Sequence, residues 1–192
     1  MFFDTHRDQF IVGYFGGHAI SNALDQLLDV AKDCLGSKED RDIVFVLVGE
    51  GQEKARLIKR TETEHIHNTY FLPPVNKRAV PDLLAHFDCS YMTGKASPLY
   101  RFGLSLNKMY DSMMAGIPII CVFDAPETLV ETYQCGIQCS PDHIDSVVEA
   151  IRTIQTMSEM EKREMGMNGK KAILQNFTYH RLARDFINKI TA

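Results

Sequence analysis

The sequence predicts an α/β fold, a Rossmann-like, doubly wound parallel sheet of about six strands followed by C-terminal helices. Two observations support this prediction. Short apolar runs alternate with segments of helical periodicity along the chain, and runs such as Ile43–Val48 are apolar throughout, which is typical of parallel strands buried on both faces. No linker, repeat or low-complexity segment interrupts the alternation, so residues 1–192 are predicted to form a single domain.

The individual elements follow from apolar periodicity and from turn residues at their ends. We predict strands at residues 10–16, 43–48, 69–72, 89–93, 119–123 and 136–139. We predict helices at residues 23–35, 52–60, 81–87, 107–115, 126–133 and 141–155. Two further helices follow: Ser158 and Glu161 form a capping-box pattern, and Thr178 can cap the last helix, which runs to the C-terminus.

Composition narrows the class of protein. The net charge of −4 argues against a general nucleic-acid binder. No apolar run approaches the roughly 20 residues of a membrane span, and the first ten residues lack the apolar core of a signal peptide. The five scattered cysteines are interpreted as reduced thiols, which predicts a cytoplasmic location. No metal site is expected, since no cluster has ligand spacing.

The stretch RFGLSLNKMYDSMMAGIPII, residues 101–120, carries the most specific local pattern. An apolar stripe with helical spacing runs through it, formed by Leu106, Met109, Tyr110, Met113 and Met114. Ser105 or Asn107 is predicted to cap the helix start, and Gly116 to close its end. Lys108 then lies in the first turn, where the helix dipole disfavours a cation.

Two interpretations of Lys108 follow from this position. A helix N-terminus is a ready anion site, so the lysine is favourable there if a phosphate binds between it and the helix end. The alternative is an exposed ion pair with Asp111, three residues further on.

Ligands of doubly wound sheets bind at the carboxyl ends of the strands. Those ends are followed here by Gly16-Gly17-His18, Gly49-Glu50-Gly51, the segment from Leu72 to Val75, and the long loop 93–106. The long loop leads directly into the Lys108 helix, and long loops in compact domains are usually functional. The glycine spacing of a nicotinamide-binding turn, the phosphate loop of NTPases and the Gly-x-Ser-x-Gly elbow of hydrolases are all absent, which disfavours those classes.

Four segments together resemble a known family: FVLVGEGQEKARL, NTYFLPPVNKRAVPDLLAHFDCSYM, NKMYDSMMAGIPIICV and MGMNGKKAILQNFTYHRLARDF. Their order and spacing are similar to the C-terminal donor domain of family-four retaining glycosyltransferases of the GT-B fold. The variant SPLYRFGLSLNKMYD, with YFGGHAISNALDQLLD upstream, resembles the L-fucosamine-transferase-like subgroup that builds bacterial O-antigens and capsules.

The resemblance implies a role for each loop. A nucleotide sugar, usually UDP-linked, would lie across the strand ends, with its diphosphate at the Gly16 turn and at Lys108. Backbone between Leu72 and Val75 would hold the base, and Asp111 would grip the ribose hydroxyls. The complete predicted donor-binding set is Gly16, Gly17, His18, Gly49, Leu72, Val75, Arg101, Gly103, Leu104, Ser105, Asn107, Lys108 and Asp111. No catalytic residue, metal or cofactor other than the donor is assigned.

The sequence departs from the family pattern at its acidic pair. The family motif is Glu-x7-Glu; its first position is Gly103 here and its second is Asp111. The basic residues usual in the first loop are replaced by His18 and Asn22, which leaves phosphate neutralisation to Lys108 and Arg101.

The resemblance also implies an absent N-terminal acceptor domain, without which this chain should bind donor but transfer little or nothing. The acceptor would be lipid-linked, which would place the protein peripherally at the inner face of the membrane. Two alternatives stay open: a non-catalytic sugar-nucleotide-binding or interaction domain, and a nucleotide-sugar 2-epimerase, which shares the fold but not the NKMYDSMMAGIPII pattern.

Overall fold

A computed structural model describes residues 2–37, 40 and 42–191 and contains one parallel sheet with the strand order β3-β2-β1-β4-β5-β6. The strands are β1 (Phe10–Phe15), β2 (Ile43–Val48), β3 (Thr69–Leu72), β4 (Cys89–Thr93), β5 (Ile119–Val122) and β6 (Gly136–Cys139). The prediction of a doubly wound, six-stranded parallel sheet is confirmed.

The helices of the described residues connect these strands and extend beyond the last one. They are α1 (Phe2–Thr5), α2 (Leu24–Gly36), α3 (Lys54–Thr63), α4 (Val80–Leu84), α5 (Asn107–Ala115), α6 (Leu129–Thr132), α7 (Ile144–Thr156), α8 (Glu159–Asn176) and α9 (Tyr179–Ile190). Short 3-10 turns at Ile20–Asn22, Lys77–Ala79 and Pro98–Phe102 complete the connections.

The core lies on both faces of the sheet, as the continuous apolar strands predict. In β2, Ile43, Phe45 and Leu47 pack with α2, α3 and α7, whereas Val44 and Val46 face the opposite side and pack with α4. Successive strand residues point to opposite faces, so an apolar run without polar interruption requires a cover on each side.

The strand order reverses between β1 and β4, which are neighbours in the sheet although two strands separate them in sequence. The chains leaving these two strands diverge, and this opens a crevice at their carboxyl ends. Gly16 follows β1 at the crevice, and loop 94–106 leaves β4 there.

Several predicted boundaries differ from the structure. Strand β1 ends at Phe15, because Gly16 has φ of +135° and leaves the extended conformation. Helix α3 begins only at Lys54 and runs on to Thr63. The helices predicted at 81–87 and 126–133 are shorter than expected. In the second of these, Thr128 is the N-cap and its side chain accepts a hydrogen bond from the Glu131 N–H, so no helix forms before it.

Helix α8 fixes the position of α5 by a close backbone contact. A Cβ atom built on Gly166 would lie 1.9 Å from the carbonyl oxygen of Gly116, the residue that closes α5 in the left-handed conformation. The predicted role of Gly116 is thus confirmed. The two helices can approach this closely only because Gly166 has no side chain.

The two C-terminal helices have the predicted starts. Ser158 and Glu161 form a reciprocal capping box at α8, and the Thr178 side chain accepts from the Arg181 N–H at α9. Helix α9 buries none of its residues and exposes Tyr179, Phe186 and Ile190. No helix in the described part of the chain is long and apolar enough to span a membrane.

Candidate functional site

A cleft of about 320 Å³ opens at the carboxyl edge of the sheet, beside the point where the strand order reverses. Turns that follow β1, β2 and β3 form its walls. The lining residues are Phe15, Gly16, Gly17, Val48, Gly49, Glu50, Pro74, Val75 and Val80. Four of these belong to the predicted donor-binding set: Gly16, Gly17, Gly49 and Val75.

Two glycine turns meet in the wall of the cleft. Gly49 has φ of +156°, and a Cβ atom there would lie 1.9 Å from the Gly16 carbonyl oxygen. Backbone hydrogen bonds join the turns, from the Gly16 N–H to Val48 (3.0 Å) and from the His18 N–H to Glu50 (2.8 Å). Glycine is therefore required at Gly49 for the two turns to touch, and the wall they form is made of backbone.

His18 lies beneath these turns and has no exposed surface. Its ring packs near those of Tyr14 and Phe71, and neither ring nitrogen has a hydrogen-bond partner among the described residues. Burial, and secondarily the charge of Lys54, lowers the pKa of His18 to about 4, so the ring is neutral at pH 7. The structure therefore places His18 as a support under the turn and not in the wall of the cleft.

Lys54 joins the ends of β2 and β3. Its ammonium donates to the carbonyl oxygens of Gly49 (2.7 Å) and Leu72 (3.1 Å) and pairs with Glu50 at 3.2 Å. The Leu72 carbonyl is thus already occupied. Val75, which is 40% exposed at the rim, is the accessible end of the predicted base-binding segment.

The N-terminus of α5 is open to a ligand. The prediction that Ser105 or Asn107 caps this helix is wrong: Leu106 is the N-cap, and no side chain caps the helix. Leu106 takes this position because its side chain packs against the apolar cluster under α5. Ser105 instead shares a hydrogen bond of 3.2 Å with Tyr110. The first amide groups of α5 therefore keep their capacity to bind an anion.

Lys108 turns inward from this helix end. Its ammonium donates to the Tyr14 hydroxyl at 3.1 Å and lies 4.3 Å from the centre of that ring. It makes no ion pair with Asp111, so the alternative of an exposed i, i+3 pair is wrong. Lys108 Nζ lies 3.4 Å from where a Cβ of Gly16 would be, next to the glycine turn. Burial lowers the pKa of Lys108 to about 8.

The other predicted residues of the long loop lie at different depths. Arg101 is exposed, with its guanidinium 4.7 Å from the ring centre of Phe102. Gly103 has φ of +111°, and no atom in the described part of the chain lies within 4 Å of a Cβ built there. Leu104 is buried in the cluster under α5. Asp111 is half-buried and has no hydrogen-bond or ion-pair partner among the described residues.

The described residues contain no group of three or more His, Cys, Asp or Glu side chains placed to hold a metal ion. All five cysteines are free thiols, as predicted, and all five are buried.

Sequence reasoning missed two residues that shape the site, Tyr14 and Lys54. Tyr14 is a fully buried residue of β1. Because the strand is so apolar, the sequence predicts only that its ring packs in the core. The signal available was its place two residues before Gly16, because a phenol buried at a strand end needs a partner for its hydroxyl. Lys54 is the first residue of α3, shortly after the Gly49 turn. No local sequence pattern indicates that its side chain turns back to the Gly49 carbonyl.

The fold is Rossmann-like, and a lysine lies beside an open helix N-terminus at the carboxyl edge of its sheet. The model of the family described as glycosyl transferases group 1 matches residues 4–172. The chain belongs to this family. No curated protein matches it in sequence.

Solved structures show the same fold. Anabaena Alr3699/HepE in complex with UDP superimposes with a TM-score of 0.78 at 16% identity, covering 97% of this chain and 50% of that one. S. aureus TarM, whose complex contains fondaparinux, alpha-GlcNAc-glycerol and UDP, gives 0.76 at 16%, covering 94% and 35%. The C-terminal domain of the Francisella tularensis group 1 glycosyl transferase LpcC gives 0.70 at 14%, covering 92% and 91%.

These likenesses establish the fold, which is that of the C-terminal domain of GT-B glycosyltransferases. The chain spans about a third to a half of the length of the TarM and HepE chains and nearly all of the LpcC C-terminal domain.

Proposed function

We propose that this chain is the nucleotide-sugar-binding half of a glycosyltransferase whose donor is UDP-linked. One observation carries the proposal: the Lys108 ammonium, which has no acidic partner among the described residues, lies beside an uncapped helix N-terminus and a glycine turn at the reversal point of the sheet. Such a site fits a diphosphate, because oxygens with negative charge can accept from backbone amides and from the ammonium together. The UDP in two of the structural neighbours supports the choice of nucleotide.

In this proposal the cleft and the start of α5 bind different parts of the donor. The diphosphate would lie between the Gly16 turn and Lys108, and the base would lie toward Val75. The carboxylate of Asp111, which has no described partner, would accept hydrogen bonds from the ribose hydroxyls. Arg101, on the exposed loop, would be the second cation within reach of the phosphates.

The chemistry proposed is transfer of a sugar with diphosphate as the leaving group. Negative charge develops on the departing phosphate as the glycosidic bond breaks. The ammonium of Lys108 and the α5 amides would stabilise that charge without reorganising, which is the most effective form of electrostatic catalysis. The proposal assigns this role to the chain's own groups and includes no metal or cofactor besides the donor.

The finer parts of the proposal rest on sequence resemblance. They are retention of configuration, the L-fucosamine-transferase-like subgroup and a role in bacterial surface polysaccharide synthesis. A separate N-terminal domain would supply the acceptor site, so the isolated chain would bind donor and transfer little or nothing. A lipid-linked acceptor would place the enzyme in the cytoplasm, peripherally at the inner face of the membrane.

A non-catalytic sugar-nucleotide-binding domain is the second candidate. The observation that favours it is Gly103, which stands where the family motif has its first glutamate. With φ of +111°, this position strains any residue other than glycine, so a glutamate in this backbone conformation would be unfavourable.

The proposal is tested by calorimetric titration of the chain with UDP, GDP and NAD. We expect UDP to bind selectively and Lys108→Ala to weaken it about tenfold or more, since a hydrogen bond to a charged group contributes about 1.5–3 kcal/mol. Lys59→Ala is the matched control, because it removes the same charge from an exposed position of α3. Binding that Lys108→Ala leaves unchanged, or no UDP binding by the folded chain, would refute the proposed site.

A pH series gives an independent check. The second ionisation of a phosphate has a pKa of about 6, so UDP affinity should rise as the pH rises through that value. Lys108 loses its charge as the pH rises through its pKa of about 8, so affinity should fall above that value. We therefore expect a maximum between these limits, and Lys108→Ala should lack the alkaline fall.

A further inference from the structure

We propose that Tyr14 is a positioning residue that sets the phosphate-binding geometry by holding Lys108 and the Gly17 peptide at once. The inference rests on the proposed function, in which Lys108 binds the diphosphate of the donor. Tyr14 itself would not touch the ligand, since it has no exposed surface. It lies behind the wall of the cleft and acts through the two groups that its hydroxyl contacts.

The hydroxyl of Tyr14 has a fixed polarity. Its single hydrogen is donated to the Gly17 carbonyl oxygen at 2.7 Å. Its oxygen is then free to accept, and the acceptor side faces the Lys108 ammonium at 3.1 Å. Burial raises the pKa of this phenol well above its usual value, so the hydroxyl keeps its hydrogen throughout the neutral range.

The Gly17 carbonyl is held from two sides. It accepts from Tyr14 and also from the Asn22 side-chain amide, at 2.7 Å in each case. The two donors therefore keep the carbonyl from turning toward an anion in the cleft, where it would repel phosphate oxygens. Among the described residues none accepts from the Gly17 N–H, which remains available to a ligand.

The ammonium of Lys108 has no other described polar partner. Without Tyr14, a lysine side chain of four flexible carbons would sample many rotamers at the α5 terminus. The hydroxyl and the ring face together restrict it to one region beside Gly16 before any ligand arrives. Preorganisation of this kind raises affinity by removing an ordering cost from the binding step.

The ionisable surroundings of Lys108 support assigning the effect to Tyr14. His18, in the turn, is neutral at pH 7, and Lys54 and Glu50 lie beyond it and contact each other. Asp111 lies on α5 itself and makes no ion pair with Lys108. The Tyr14 hydroxyl is thus the direct polar contact that favours the charged form of Lys108 in the described part of the chain.

The test uses the Tyr14→Phe variant, which removes the hydroxyl oxygen and keeps the ring. We expect UDP affinity to fall about three- to tenfold. The alkaline fall in affinity should also move to lower pH, because the charged form of Lys108 loses an acceptor. Tyr91→Phe is the matched control: its hydroxyl is equally buried, on the adjacent strand β4, and has no partner among the described residues. That variant should change neither the affinity nor the pH profile.

A double-mutant cycle separates positioning from general damage to the fold. In a Lys108→Met background, Tyr14→Phe should have no further effect on the pH dependence of UDP affinity. A ligand-free readout accompanies the cycle: the NMR titration of the Lys108 Cε signal should move to lower pH in Tyr14→Phe and stay in place in Tyr91→Phe.

The outcomes are distinct. If the wild-type chain binds UDP and Lys108→Ala weakens it, but Tyr14→Phe moves neither affinity nor the Lys108 titration, the positioning role is overturned. If the wild-type chain binds no UDP, the proposed function fails, while the Lys108 titration still tests the contact with Tyr14. Unfolding of Tyr14→Phe at the temperature of the binding assay, with Tyr91→Phe folded, would show a structural role instead and also overturn the proposal.

Discussion

Replacing Gly166 with alanine should destabilise the protein, because this glycine lets α8 touch the end of α5. The added Cβ would lie 1.9 Å from the Gly116 carbonyl oxygen and 2.4 Å from its carbon, whereas real Cβ atoms do not approach within 3.0 Å. The opposing atoms are backbone and cannot rotate away. Helix α8 must therefore move by about 1 Å or more, which disturbs the close packing of the core beneath it.

The magnitude follows from two opposing terms. Overpacking of this kind costs about 1–3 kcal/mol, and a backbone collision belongs at the upper end of that range. Alanine in a helix interior gains about 1 kcal/mol over glycine. The expected net loss is about 2 kcal/mol, equivalent to a fall in Tm of about 4–8 °C for a chain of this length.

Urea denaturation followed by circular dichroism measures this loss. Gly36→Ala is the matched control, since no atom of the described residues lies within 4 Å of the Cβ it would add at the end of α2. We expect that control to be neutral or slightly stabilising. A Gly166→Ala chain as stable as the wild type would show that α5 and α8 do not need this contact, and the argument for how α5 is positioned would fail.

Two further predictions concern buried polar groups. Arg152→Ala should lower the free energy of unfolding by about 3 kcal/mol, because the Asp40 carboxylate, which has no exposed surface, loses hydrogen bonds of 2.9 and 2.6 Å. The control is Glu149→Ala, which removes a carboxylate 3.9 Å from the same arginine and should cost under about 0.5 kcal/mol in the same denaturation assay. Equal losses in the two variants would contradict this prediction. The five native thiols should not react with a disulfide reagent at pH 8 but should all react in guanidinium, because burial raises the pKa of Cys135 and Cys139 to about 11 and that of the others at least as far. Unfolded thiols ionise near their ordinary pKa of 9.0, so stability should also begin to fall above that pH and continue to fall toward pH 11; a native thiol that reacts at the denatured rate would refute the assignment.

Much of the fold could be predicted because its signals are local. Strands β2, β3, β4 and β6 lie at the predicted residues, and so does α5. An apolar run or a helical stripe is a property of neighbouring residues, and it survives in any tertiary context that buries it. Boundaries were less accurate where a cap or a glycine competed with the pattern, as at Thr128 and Gly16.

The site could be predicted only in outline. The carboxyl edge, the glycine turns and Lys108 follow from the alternation of strands and helices and from the helix start, and the structure brings Gly16, Gly17, Gly49 and Val75 to one cleft. The burial of His18 was not predictable, because a histidine in a glycine turn reads as exposed. The open start of α5 was also missed, since Leu106 is held at the N-cap by core packing and not by its capping preference.

Local sequence patterns are enough to predict the parallel sheet, the succession of its strands and helices along the chain, and a lysine in the first turn of α5. They are enough because secondary structure depends on residues close together in the chain. The direction in which that lysine points depends instead on how distant elements pack. Its partner, Tyr14, is 94 residues away, and the two meet because α5 and β1 are brought together at the reversal of the sheet. No local pattern records a contact of that range, since it depends on how the layers pack and not on how each element forms.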